Sequence, residues 1–171
     1  MTTPRVAAEP LARSHGLIRE GLVTGALGAT AVALWFLVVD VLLGHPLHTP
    51  ALLGAVVTNA AAPTSGAETV SLAAVYTVVH YAVFAAVGVL ATFLVHRAAE
   101  SPSLLGLLLM LFAATEVLFI GVVASLEVDA LGSLAWSQVA VGNVIAAGAM
   151  GAYLFRRHRG IGDGLRRSFE G

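Results

Sequence analysis

GLVTGALGATAVALWFLVVDVLL, residues 21–43, decides the fold. It carries one ionisable side chain, Asp40, in a run long enough to cross hydrocarbon as a helix, for which roughly 17 to 25 apolar residues are needed. Working outward, comparable runs follow at 71–95, 103–126 and 131–155. The composition agrees. The chain is 58% hydrophobic and 11% charged, whereas a soluble domain carries about 25% charged residues. The sequence therefore predicts an all-α integral membrane four-helix bundle occupying 21–155. An N-terminal segment, 1–20, and a basic tail, 156–171, flank it. The first run is too long for the apolar core of a signal peptide and has no obvious small-residue cleavage site, so it is expected to stay as a helix. Cysteine is absent, which excludes disulfides, thiolate metal sites and cysteine nucleophiles.

The charges set an orientation. All nine basic residues are arginines. Arg5, Arg13 and Arg19 precede the first run, Arg97 lies between the second and third, and Arg156, Arg157, Arg159, Arg166 and Arg167 follow the fourth. The connections 44–70 and 127–130 hold only acids, Glu68, Glu127 and Asp129. The positive-inside rule then places both termini in the cytoplasm of a multi-pass inner-membrane protein. A basic tail beside a span is expected to meet anionic lipid headgroups rather than nucleic acid, because no aromatic interleaving or known binding module accompanies it.

Small residues recur at helical spacing and predict how the helices pack. The stripes are Gly21, Gly25, Ala29, Ala33, Phe36 and Asp40; Ala73, Thr77, His80, Phe84, Gly88 and Ala91; Gly106, Met110, Ala113, Glu116, Ile120 and Ala124; and Ala135, Gln138, Gly142, Ala146, Ala149 and Tyr153. Short turns after the second and third runs imply an up-down-up-down bundle. In the first connection, HTPALLGAVVTNA (48–60) has Thr49 as an N-cap and Pro50 at the first helical position, predicting a short extra helix over about 50–60. The stretch 35–57, WFLVVDVLLGHPLHTPALLGAVV, resembles small bacterial membrane proteins with four spans. The lysine-free, alanine-, valine- and arginine-rich composition also suggests a GC-rich bacterial genome.

The candidate functional residues are the polar ones in the apolar runs. At a rise of 1.5 Å per residue, His80 and Glu116 both fall about 15 Å from the outer boundary, with Asn143 at a similar level. An acid at that depth needs a partner, and His80 is the expected one for Glu116. The pair reads as a structural hydrogen bond, a proton relay, a metal site or a polar ligand pocket. A second, outer tier comprises Asp40, Tyr76 and Gln138. Asp40, His45 and His48 are a candidate divalent-metal set at the outer face, with Glu68, Glu127 or Asp129 as further oxygen donors. His80 and His96 lie at different depths on one helix, which argues against a haem held within one chain. His15, His96 and His158, beside arginines on the inner side, read as lipid-facing surface groups rather than ligands. Three functions follow from these residues. The first is an accessory or structural subunit packing through glycine and alanine faces against other membrane subunits or its own copies. The second is a small redox or metal-binding membrane protein. The third is a proton or small-solute transport component. No catalytic set is recognisable.

Overall fold

The computed structural model describes the backbone of residues 9–98 and 132–158 and the side chains of 16–97 and 137–158. The expected third span, with Glu116, lies outside the described residues. Four helices are present among the described residues: α1 Glu9–Leu42, α2 His48–Thr58, α3 Gly66–Ala98 and α4 Gly132–Arg157. α1 begins inside the segment expected as an N-terminal tail. At 34 residues it is about 50 Å long, which exceeds the roughly 30 Å of a hydrocarbon core.

Local chemistry sets the helix boundaries. Ser65 Oγ accepts the Glu68 N–H at 3.3 Å, and the Glu68 carboxylate accepts the N–H and hydroxyl of Thr64 at 2.7 and 2.9 Å. This variant of the capping box satisfies orphan donors at the start of α3. α2 is bracketed by two residues in the left-handed region, Leu47 at φ 67° and Asn59 at φ 53°. Asparagine tolerates this conformation, and the Ala60 N–H closes the helix end on the Ala55 carbonyl at 2.8 Å.

α1 is the hub. Its contacts with α3 pair Glu20 with His96, Thr24 with Thr92, Ala29 with His80 and Thr30 with Tyr81, so the two helices are antiparallel. Its contacts with α4 pair Glu20 with His158 and Trp35 with Gln138, which are antiparallel too. The seam with α3 is a backbone contact. A Cβ at Gly25 would overlap the Phe84 carbonyl, one at Gly21 would overlap the Val89 backbone, and one at Gly88 would overlap Gly21 and Gly25. α2 sits on α3 in the same way, with Gly54 against the Leu72 carbonyl and Ala51 and Ala55 buried. The small-residue stripes predicted for the first, second and fourth runs supply most of these contacts. Ala33 is an exception: it is exposed, and Val32 is buried instead.

Many large side chains point away from this interior. Val78 is 71% exposed, Val144 68% and Leu34 57%. Gly16–Leu42, Gly66–Arg97 and Ser137–Arg157 are long and apolar enough to span a bilayer, and only 28, 22 and 22% of their apolar windows is buried. Helices of a water-soluble bundle bury their apolar stripe, whereas these expose it, as contact with lipid requires. The chain is a membrane protein.

The glycine seam gives a direct test. Gly88→Leu is expected to lower the thermal stability of detergent-purified protein, by about the 1–3 kcal/mol typical of overpacking or more. Gly16→Ala, at a helical site with nothing within 4 Å, is expected to be neutral or slightly stabilising in the same melt.

Candidate functional site

The polar residues of α1, α3 and α4 gather at three levels along the hub helix. At one end, the side chain of Glu20 on α1 is 8% exposed. Its Oε1 lies 2.6 Å from His158 Nε2, just beyond α4, and its Oε2 lies 3.3 Å from His96 Nε2 near the end of α3. The two imidazoles meet edge to face, with ring centroids 4.7 Å apart. The turn beneath is locked. Thr24 Oγ1 donates to the Glu20 carbonyl at 2.8 Å and lies 3.4 Å from Thr92 Oγ1, both threonines being fully buried. Three segments remote in sequence thus converge on one carboxylate. Glu20, His96 and His158 are also the three residues whose potential metal-ligating atoms, among the described residues, lie within 4.8 Å of one another.

The expectation that His96 and His158 are surface groups holds for His96, which is 37% exposed, but both imidazoles also turn to the Glu20 carboxylate, and His158 is half-buried there. Antiparallel packing brings the start of the first span and the ends of the second and fourth to one level, and a buried carboxylate needs donors there. The sequence held the signal: Glu20, His96 and His158 each stand beside an arginine near an end of one of those three apolar spans.

At the opposite end, Asp40 is 2% exposed. Its Oδ2 accepts the Thr49 N–H at 2.8 Å and its Oδ1 accepts the Thr49 hydroxyl at 2.6 Å. Its carbonyl accepts the His45 N–H at 2.9 Å. Asp40 thereby folds the connection 43–48 back on itself and satisfies an N–H donor in the first turn of α2. The expected N-cap role of Thr49 is corrected. The helix starts two residues earlier than expected, at His48, and Thr49 donates to a carboxylate from another helix instead of capping its own. Both Asp40 oxygens are turned to Thr49, while Glu127 and Asp129, the further donors expected for the candidate metal set, lie outside the described residues. His45 and His48 are exposed, with ring centroids 6.0 Å apart.

Between the two ends lies His80, half-buried, its Nε2 3.1 Å from the Ala29 carbonyl oxygen. As a donor to that carbonyl it joins α3 to α1. Its ring stacks near Phe84, with centroids 4.7 Å apart, and near Tyr76, at 5.5 Å. Asn143 is half-buried on α4. The Gln138 carbonyl accepts the Trp35 indole N–H at 2.9 Å, and the Gln138 side-chain oxygen is buried without a hydrogen-bond partner among the described residues. The proposed pairing of His80 with Glu116 lies outside the described residues on the acid's side.

Asp40→Ala is expected to free α2. Loss of charged hydrogen bonds of this kind costs about 1.5–3 kcal/mol each, so hydrogen exchange over 48–58 should accelerate markedly. Thr49→Val should give a smaller acceleration over the same segment, because it keeps the backbone N–H. Comparison of the chain with protein-family models, curated proteins and solved structures gave no match, and the roles of these residues rest on their geometry.

Proposed function

We propose that the chain is an integral membrane subunit that works by packing helix on helix within a membrane assembly, its partners being further copies or other membrane subunits. One observation carries this reading: the open glycine face of α4. At Gly148 and Gly151 a Cβ would meet nothing within 4 Å among the described residues, unlike the glycines of the α1–α3 seam. A glycine inside a helix is worse than alanine by roughly 0.5–1 kcal/mol, so two on one face cost stability that no contact among the described residues offsets. Gly148 and Ala152 form a small-xxx-small pair, the pattern that lets helix backbones approach in lipid.

Arg19, Arg97, Arg156 and Arg157 are exposed at the helix ends that converge on Glu20. The positive-inside rule supports a cytoplasmic position for that end, with anionic headgroups as the natural contacts of the arginines. The cluster at Glu20 favours a second reading, a metal-binding membrane protein.

The absence of native cysteine makes Gly148→Cys a clean probe. Treated with a bifunctional thiol reagent in native membranes, this variant should give a discrete higher-mass adduct, while Val78→Cys on the exposed face of α3 should not. A Gly148→Cys chain that stays monomeric both in membranes and in mild detergent would overturn the reading.

A further inference from the structure

We propose that Glu20, His96 and His158 form a binding site for a single divalent transition-metal ion, with zinc, iron(II) and cobalt(II) as the fitting class. Three observations carry the assignment. The donors are two imidazole nitrogens and one carboxylate, a borderline set that suits divalent first-row metals of this class. Calcium and magnesium favour all-oxygen sites, and copper(I) favours thiolates and thioethers. The donors also come from three separate segments, 76 and 138 positions apart in sequence, and their ligating atoms all fall within 4.8 Å. Finally, the spacing suits an ion. Two ligands each about 2.0–2.1 Å from a tetrahedral metal lie roughly 3.3–3.4 Å from one another. His96 Nε2 and Glu20 Oε2 are separated by 3.3 Å. The His158 Nε2 lies 2.6 Å from the other carboxylate oxygen, Oε1, as a hydrogen bond, so an ion held by both imidazoles and a single carboxylate oxygen needs the carboxylate to turn or a ring to shift.

The support around the donors fits this role. The Thr24–Thr92 contact and the Thr24 bond to the Glu20 carbonyl fix the backbone that carries the acid, and the tilted His96–His158 packing orients both rings. Two histidines and one carboxylate leave at least one coordination position for water or an exogenous ligand, the arrangement of reactive rather than purely structural sites. The site is independent of the α4 packing face and of the histidines at 45 and 48.

Untagged full-length protein in detergent is stripped with a chelator and titrated with cobalt(II). One equivalent should bind with the intense visible bands of low-coordinate cobalt(II), zinc should displace it, and either ion should raise the melting temperature. Glu20→Gln and His158→Ala should each weaken binding by at least about tenfold, a difference of about 1.4 kcal/mol. His45→Ala/His48→Ala should bind as the parent does. His96→Gln, which keeps a polar group at that position, covers the case in which an alanine variant fails to fold. The proposal is overturned if the wild-type protein takes up no stoichiometric cobalt. It is equally overturned if binding and the metal-induced rise in melting temperature survive Glu20→Gln combined with His96→Gln. That outcome would leave the three residues as a hydrogen-bonded clasp between helix ends.

Discussion

Everything described here depends on how closely the backbones of α1 and α3 approach. In water, apolar side chains are driven together by their exclusion from solvent; in lipid that force between helices is absent, and dispersion contacts at short range must replace it. Gly21, Gly25 and Gly88 remove the side chains that would hold the two helices apart. The resulting proximity lets a threonine reach a threonine and an imidazole reach a backbone carbonyl across the seam. A larger residue on this seam would separate the polar contacts as well as the helices.

Along the hub helix, three polar points are answered from other segments of the chain. Glu20 meets two imidazoles, Asp40 meets the first turn of α2, and the Ala29 carbonyl meets His80. The two carboxylates differ in kind. Asp40 turns both oxygens to one residue nine positions away, so it organises a local connection. Glu20 divides its oxygens between two helices and organises the tertiary structure.

The membrane-spanning character and the small-residue faces of three helices were legible in the sequence because both follow from local pattern: run length, and spacing near 3.6 residues. The capping arrangement at Ser65 and Glu68 was not read from the sequence, although its Ser-x-x-Glu spacing is a local pattern of the same kind. Two features were not legible. The start of α2 misled because Thr49–Pro50 has the composition of a self-contained helix start, while the actual acceptor, Asp40, lies on the preceding helix. The Glu20 cluster was missed because its members look like ordinary charged residues of helix termini; only the antiparallel pairing of α1 with both α3 and α4 sets them at one level. Attention to depth favoured His80 and the residues near the midplane, whereas the densest constellation among the described residues formed where spans end.

The connection between Glu20 and His158 has a temporal side. A ribosome delivers the first helix long before the fourth, so the acid must wait in the bilayer interface while the intervening chain is inserted. Of its two imidazole partners, only His96 is delivered before the fourth helix. The arrival of the C-terminal helix then completes the set, and maturation of the cluster becomes a late, non-local event in biogenesis.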